Sequence, residues 1–191
     1  MALKSTIFKA NLNVADLDRC YYGDHALTLA RHPSETDERM MIRLLAFALF
    51  ADERLEFGKG LSSTDEPALW LKEYSGEIRL WIEVGLPDER SIRRAAGRAE
   101  QVVVVAYGGR SMDAWWAKEG AGLAKLANVR VLAIAEDQSA ALAALAERGM
   151  QLQCTIQESQ AWWNAADSTV LIEPRVLSGL AALSRAPARR A

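Results

Sequence analysis

Residues 101–107, QVVVVAY, constrain the fold most strongly, because they form a nearly unbroken run of β-branched and other apolar side chains. Such a run is typical of a strand that is buried on both faces, as parallel strands in α/β proteins are. It follows a strand-like segment, EIRLWIEVG, and a helical one, PDERSIRRAAGRAE. Strand, helix and strand joined by short connections form a right-handed crossover. Residues 78–84 and 102–106 are therefore predicted to be parallel neighbours in one sheet.

The same alternation of patterns extends toward the C-terminus. A helix over SMDAWWAKEGAGLAKLA precedes a second buried strand, VRVLAIA, and a further helix, QSAALAALAERG, is expected to end at Gly149. After the strand MQLQCTIQ, the segment AWWNAADSTVLIE is predicted to form a closing hairpin around residues 164–168.

The N-terminal part is predicted to begin with an antiparallel hairpin, since STIFKANLNV and HALTLARH both alternate apolar and polar residues. A helix follows, and Ser34 and Asp37 have the spacing of a capping box at its start. Its apolar residues recur at helical spacing as far as Leu55, which places its end near residues 57–58. PALWLKEY and EIRLWIEVG then flank a Ser-Gly turn and predict a second hairpin.

These elements predict one mixed α/β (α+β) domain over residues 1–180 of the 191-residue chain. Its central mixed sheet is expected to be flanked by helices, with a β-hairpin near the N-terminus and another near the C-terminus. Residues 181–191 form a basic, proline-containing tail that is expected to fray.

Composition narrows the functional classes. The formal net charge of −2 gives no overall positive field for nucleic acid, although it leaves room for a local basic face. The longest apolar helical run, MMIRLLAFALFA, is interrupted by Arg43 and is too short to span a bilayer. The N-terminus lacks the apolar core of a signal peptide, so a cytoplasmic protein is expected. Cys20 and Cys154 have no CxxC partner and are expected to be free thiols.

Acidic residues at the ends of neighbouring elements are the strongest site candidates, since the sequence contains no dinucleotide, Walker or nucleophile-elbow motif. Glu83 lies among apolar residues near the end of its strand, and folding of the second hairpin brings Asp65 beside it. A one-residue shift in register would bring Glu66 there instead. Glu53, near the predicted end of the first helix, is expected to face the same edge. Carboxylates in one pocket repel one another unless a cation joins them, and Mg²⁺ favours such oxygen ligands.

The order of helix, acidic strand, second acidic strand, helix and strand resembles the core of the PD-(D/E)XK nuclease superfamily. More closely, the strings LTLARHPSET, ERMMIRLLAF, ADERL, DEPALW, LWIEVGLPDER and WW are similar to the YaeQ family of bacterial proteins. The resemblance covers nearly the whole chain. It implies a restriction-endonuclease-like core and a metal site, whereas the reaction of the family is not established.

The resemblance assigns the superfamily's first acid to Asp65, with Thr64 where the proline would stand, its second acid to Glu83 and its helix acid to Glu53. The superfamily's lysine, two residues after the second acid, is replaced by Gly85. That lysine positions the attacking water and offsets charge in the transition state, so its replacement argues against direct hydrolysis.

Arg90 and Arg94, on one face of the following helix, are the expected substitutes for this lysine, as charge or phosphate partners. Lys72 is expected to lie too far away, near the hairpin turn. Arginine binds phosphate well but stays protonated and cannot act as a base.

Two functional hypotheses follow. In the first, the protein is a Mg²⁺- or Mn²⁺-dependent nuclease or phosphodiesterase of DNA or RNA. Asp65 and Glu83 would hold the metal, Glu53 would support its shell, and Arg90 or Arg94 would contact phosphate. In the second, a catalytically silent nuclease-like fold binds nucleic acid or a protein partner. The missing lysine favours the second hypothesis and the retained acids favour the first, although each acid alone also fits a purely structural role.

Overall fold

The computed structural model describes residues 5–59 and 65–179, which form four helices and eleven strands. In chain order the elements are β1 (Thr6–Asp16), β2 (Tyr21–Arg31), α1 (Asp37–Leu49), β3 (Leu55–Phe57), β4 (Leu69–Lys72), β5 (Ile78–Val84), α2 (Glu89–Ala96), β6 (Ala99–Ala106), α3 (Arg110–Leu123), β7 (Val129–Ala133), α4 (Glu136–Ala143), β8 (Gly149–Gln157), β9 (Gln160–Ala165), β10 (Ser168–Ile172) and β11 (Arg175–Ser178). None of these helices is long and apolar enough to cross a membrane. The tail predicted at residues 181–191 lies outside the described residues.

A six-stranded mixed sheet has the strand order β11-β7-β6-β5-β4-β3. Strands β5, β6 and β7 are parallel, and Glu83 of β5 lies opposite Val104 of β6. This pairing confirms the predicted crossover. The hairpin of β4 and β5 is antiparallel, with Leu69 opposite Ile82, and β3 and β11 form the antiparallel edges.

The two predicted terminal hairpins are confirmed, but they belong to a second sheet and do not extend the first. This five-stranded sheet has the order β10-β9-β8-β1-β2. Strands β1 and β2 are antiparallel along their whole length, and so are β9 and β10. The parallel pairing of β1 with β8 joins the two hairpins into one sheet.

Helix α1 lies in the core between the two sheets. Its residues from Met40 to Leu49 are buried on every side of the helix, which is the pattern of a helix that has protein all around it. One hydrophobic cluster contains this helix together with side chains of both sheets, such as Leu12 and Ile82. A second cluster packs α2 and α3 against the opposite face of the six-stranded sheet, where Trp81 lies.

The first helix is shorter than predicted. It begins after Thr36, whose hydroxyl accepts a hydrogen bond from the Arg39 backbone N–H at 3.1 Å, so the predicted Ser34 cap is wrong. It ends at Leu49, and residues 55–57 form the edge strand β3. The ladder with β4 satisfies the backbone groups of this segment, which a helical continuation would otherwise pair. The fourth helix is also shorter than predicted, because Gly149 opens β8 and does not close α4.

Candidate functional site

Glu83 lies next to last in β5, at the carboxyl end of a central strand. Alternate residues of a strand share a face, so Glu83 lies on the side of Trp81, toward α2 and α3. The indole Nε1–H of Trp81 donates a hydrogen bond to Glu83 Oε1 at 2.8 Å. The carboxylate is thus held at the rim of an apolar layer by its own strand neighbour.

Burial raises the pKa of the Glu83 carboxyl above the ordinary glutamate value, and this is the largest influence on it. The hydrogen bond from Trp81 and the positive charge of Arg39 act in the opposite direction and do not cancel it. A desolvated carboxyl at the end of a central strand is the kind of group that is found at functional sites more often than elsewhere.

The register of the β4–β5 hairpin decides which side chains share the face of Glu83. Trp70 is opposite Trp81, and the two rings meet edge-to-face with centroids 6.2 Å apart. Counting by twos from Trp70 toward the start of β4 leads to position 66 and not to position 65. Glu66, however, forms an ion pair with Lys59 at 2.9 Å, and Asp65 is exposed. The hairpin therefore brings Asp65 and Glu66 to the edge where Glu83 lies. The alternation of the strand places Glu66 on the same face as Glu83.

Glu53 does not lie at the edge of the sheet where Glu83 lies. It is exposed and follows the end of α1. Leu55 lies opposite Leu71, so the segment before β3 is at the turn end of the β4–β5 hairpin, whereas Glu83 is at the other end of β5. The ion pair of Arg54 with Glu73, at 2.5 Å, fixes this location. The predicted convergence of three acids is therefore wrong for Glu53.

No group of three or more His, Cys, Asp or Glu side chains within the described ranges is arranged to hold a metal ion. The predicted metal ligands, Asp65 and Glu83, amount to two carboxylates, of which the first is exposed and the second is desolvated. Two oxygen ligands suit Mg²⁺ chemically only if water and substrate complete the coordination shell. This donor set is incomplete by itself.

Gly85, the residue at which the nuclease resemblance leads one to expect a lysine, has a φ of +113°. Its N–H donates to the Val105 carbonyl at 3.0 Å, which continues the β5–β6 pairing beyond the strand. A Cβ at this position would meet no atom within 4 Å, so space is available. The backbone conformation, which side-chain-bearing residues rarely adopt, is what favours glycine here.

Arg90 and Arg94 lie exposed on α2, one helical turn apart, and neither forms an ion pair with a described residue. Asp88, the N-cap of this helix, accepts a hydrogen bond from the Ser91 N–H at 2.7 Å. That bond lowers the pKa of Asp88, and the positive charges of Arg94 and Arg90 lower it further. Both arginines are therefore located at the helix that follows Glu83, as predicted from the sequence, but no contact joins either of them to the Glu83 carboxylate.

Arg98 lies just beyond Gly97, the C-cap residue of α2, with its guanidinium carbon 5.2 Å from the centre of the Trp81 ring. We define the basic strip as Arg90, Arg94 and Arg98; it runs along α2 and past its C-terminus to the indole that donates a hydrogen bond to Glu83.

A group of residues near the start of α1 was missed by the sequence-based search. Glu35 is buried and accepts hydrogen bonds from Arg39 at 2.6 Å and from Arg43 at 2.8 Å. Tyr107, just beyond β6, has its pKa raised mainly by burial, whereas the charge of Arg39 lowers it. Arg39 thus influences both Tyr107 and Glu83. In the sequence, Glu35 and Arg39 have the pattern of an ordinary helix start, because the residues that they influence come from distant segments.

Fold and site together define a two-sheet α/β protein with a desolvated carboxylate at the end of a central strand and a basic helix beside it. A family model described as YaeQ protein matches residues 1–174. The chain therefore belongs to the YaeQ family, and the resemblance to this family that was inferred from the sequence is confirmed.

Individual relatives agree with this assignment. The chain is 50% identical over 173 residues to "Uncharacterized protein YaeQ" of Salmonella typhi, a match that covers 91% of this chain and 96% of the relative. It is 50% identical over 162 residues to the protein of the same name from Escherichia coli K12, over 85% and 90% of the two chains.

Solved structures of the family share the fold. The crystal structure of the YaeQ protein from Xanthomonas axonopodis pv. citri is 46% identical, with a TM-score of 0.89 over 92% of this chain and 99% of that one. The YaeQ protein from Pseudomonas syringae is 38% identical, with a TM-score of 0.88 over 92% and 97% of the two chains.

Proposed function

We propose that this protein is a nucleic-acid-binding module built on a nuclease-like fold, with the basic strip of α2 as the surface that contacts phosphate. The observation that carries the proposal is the strip itself, in which Arg90 and Arg94 are exposed and unpaired with described residues. Guanidinium groups bind phosphate oxygens well, and clustered cations on one helical face supply the salt-dependent part of nucleic-acid affinity.

The fold assignment is supported by the order of elements. Helix α1, the antiparallel strands β3, β4 and β5, helix α2 and the parallel strand β6 follow one another as in the superfamily core that the sequence resembles. Glu83 closes the last strand of the antiparallel set, where the superfamily has its second acid.

Features of the residues at the carboxyl end of β5 favour binding of nucleic acid without hydrolysis. A lysine at position 85 would need the positive φ that Gly85 has, and the arginines nearby cannot replace it as a base. Glu83 already accepts a hydrogen bond from Trp81. These features support a carboxylate with a structural role beside a phosphate-binding helix.

Metal-dependent nuclease activity is the second candidate function. The observation that favours it is the half-buried Glu83 carboxylate at an edge that the acidic segment Asp65-Glu66 also reaches. Glu83 and one acid of the Asp65-Glu66 segment would supply two oxygen ligands to Mg²⁺ or Mn²⁺, with water and substrate completing the coordination shell. Arg90 or Arg94 would contact the substrate phosphate in either case.

The test measures binding of fluorescent 20-mers of duplex DNA, single-stranded DNA and RNA by anisotropy over a series of salt concentrations. The variant Arg90→Ala/Arg94→Ala is compared with Lys125→Ala/Arg175→Ala, which removes two equally exposed cations from other elements. Loss of two phosphate contacts should lower affinity and reduce the slope of log affinity against log salt by about 1.8 for duplex DNA. The control variant should match wild type.

The same samples are incubated with Mg²⁺ or Mn²⁺ and their products separated on gels. Binding that depends on Arg90 and Arg94 without cleavage supports the binding module. Cleavage that is lost in Glu83→Gln supports the nuclease. Equal binding by wild type and the Arg90→Ala/Arg94→Ala variant would contradict the role of the basic strip.

A further inference from the structure

A polar groove crosses the outer face of the five-stranded sheet, on the side away from α1. The inner side chains of β1, such as Leu12, are buried in the core, and the outer ones are exposed. The groove has a volume of about 550 Å³, within the range of small-molecule sites. Its polar lining consists of Asn11, Asn13, Asp24, His25, Gln151, Gln153 and Asn164.

The pairing register arranges these side chains in a row across all five strands. Directly paired residues share a face of the sheet, and the successive partners are Thr169, Asn164, Gln153, Asn13 and Asp24. We call this set the amide row. It extends continuously from β10 to β2, so its polar groups can act together on one extended ligand.

Hydrogen bonds within the groove fix the orientation of the amide row. Asn13 Nδ2 donates to Asp24 Oδ1 at 2.8 Å, and Thr169 Oγ1 donates to Asn164 Oδ1 at 2.7 Å. These bonds leave Asp24 Oδ2, the Asn164 amide N–H groups and the whole Gln153 amide without a side-chain partner among the described residues. The groove therefore presents both acceptors and donors to a ligand, and those of Asp24 and Asn164 are already oriented by these bonds.

Two aromatic side chains stand beside the amide row. The adjacent row of paired residues contains Trp162 on β9 and Tyr22 on β2, which are 41% and 68% exposed. Thr155 and Ala15 are the small residues between them. Three strand spacings separate Trp162 from Tyr22, which corresponds to about 14 Å. Two exposed aromatic rings therefore lie in the row next to the amide row, just outside the residues that line the groove.

The charge of the groove selects among ligand classes. Asp24 is the one carboxylate among its lining residues, and no lysine or arginine is among them. His25 turns its ring inward, 4.9 Å from Phe47, and burial lowers its pKa. A phosphate-bearing ligand would meet a carboxylate without a compensating cation in this groove. A neutral ligand rich in hydroxyl groups meets complementary partners instead.

We infer that this groove binds a short neutral oligosaccharide. Hydroxyl groups both donate and accept, as the amides do, and neighbouring hydroxyls of one sugar can donate to Asp24 in charge-assisted bonds. The apolar face of a sugar ring stacks on the exposed indole of Trp162. The groove is on the five-stranded sheet, whereas the basic strip is on the helix that packs against the six-stranded sheet. The inferred site is therefore independent of the proposed nucleic-acid binding.

The experiment is isothermal titration calorimetry with maltotriose, cellotriose and triacetylchitotriose, with tryptophan fluorescence as a second readout. At least one trisaccharide should bind saturably. Trp162→Ala and Asp24→Asn should each weaken this binding about tenfold or more, since each removes a principal contact. Both side chains are exposed, so the variants should fold, which circular dichroism checks.

The control variants are Tyr74→Ala, which removes a 97% exposed aromatic ring at the other sheet, and Arg90→Ala/Arg94→Ala. Both should bind the trisaccharide as wild type does. The inference is overturned if no trisaccharide of the panel binds, or if Trp162→Ala and Asp24→Asn bind it unchanged. It is also overturned if single-stranded DNA or RNA binds instead and Trp162→Ala abolishes that binding, since the face would then be a nucleic-acid surface.

Discussion

Trp81 and Glu83 are joined by a hydrogen bond of 2.8 Å between the indole Nε1–H and the carboxylate. The ring of the same indole also contacts Arg98, whose guanidinium carbon lies 5.2 Å from the ring centre. One aromatic ring therefore connects the carboxylate at the end of β5 to the last arginine of the basic strip.

Replacing Glu83 with glutamine should stabilise the protein at neutral pH. Burial raises the folded-state pKa of Glu83 above the unfolded value of about 4.5, so the folded protein binds this proton more tightly than the unfolded chain does. The resulting stability is fully present below the unfolded pKa and is lost as the pH rises through the folded pKa. Glutamine removes that loss and can still accept the hydrogen bond from Trp81.

Thermal unfolding of wild type and Glu83→Gln, followed by circular dichroism between pH 4 and pH 8, measures this effect. The variant should have the higher Tm near pH 7, and the difference should shrink as the pH is lowered toward 4.5, the ordinary glutamate value. Glu56→Gln, at an exposed position of β3, is the control. A lower Tm for Glu83→Gln at pH 7 would show that the charged carboxylate stabilises the edge.

Introducing a lysine at position 85, as the nuclease resemblance would require, should cost stability and should not create a nuclease. Gly85 has a φ of +113°, and a side-chain-bearing residue in such a conformation costs about 1–3 kcal/mol. Because a Cβ there meets no atom within 4 Å, the cost comes from the backbone and not from a clash. Gly85→Lys and Gly85→Ala should therefore be destabilised to a similar extent.

Urea unfolding of both Gly85 variants measures the cost, and incubation of DNA with Gly85→Lys and Mg²⁺ tests for cleavage. A stability close to that of wild type would mean that the backbone relaxes to a common conformation. Cleavage that appears only in Gly85→Lys would show that the lysine alone was missing, and it would favour the nuclease hypothesis.

Local patterns in the sequence were enough to predict most elements of the six-stranded sheet. The parallel strands were recognisable because they are apolar on both faces, and the hairpins because their residues alternate around turn-forming residues. The division into two sheets was not predictable in this way. It depends on the pairing of Lys9 with Gly149, which are far apart in the chain, and no local pattern encodes that contact.

The same distinction between local pattern and long-range packing holds for the candidate site. Glu83 could be recognised as a charge in an apolar strand, and its position at the end of β5 agrees with the prediction. Glu53 was placed wrongly because its location depended on where α1 ends, and the apolar spacing continues past that end to Leu55. Arg39 was missed because its influence on Glu83 arises only when α1 packs against the sheet.

Removing Arg43 alone should destabilise the protein by about 3–5 kcal/mol, because it leaves the buried Glu35 carboxylate without its main partner. The two side chains are 2% and 1% exposed, and their closest ion-pair distance is 2.8 Å. Arg39 remains as a second partner of Glu35, which should keep the loss from exceeding this range.

Urea unfolding of Arg43→Met, Glu35→Leu and the double variant forms a double-mutant cycle for this pair. The double variant should recover much of the loss, since apolar residues of similar volume can replace a buried ion pair. Arg31→Met, which affects an exposed pair with Asp37, is the control and should change stability by less than about 1 kcal/mol. Additive effects of the two single changes would contradict a coupled buried pair.

The two cysteines should differ sharply in their reactivity. Cys20 is exposed in the turn between β1 and β2, whereas Cys154 is buried, and its burial raises the pKa of that thiol well above the usual range. Because the thiolate is the reactive form, Cys154 should react only when the surrounding core opens.

Native protein treated with Ellman's reagent should therefore release one equivalent quickly and the second equivalent only after denaturant is added. Cys20→Ser should abolish the fast phase and Cys154→Ser should retain it. Two fast equivalents in native protein would mean that the five-stranded sheet opens readily around β8, and the tight core described for α1 and both sheets would then be contradicted.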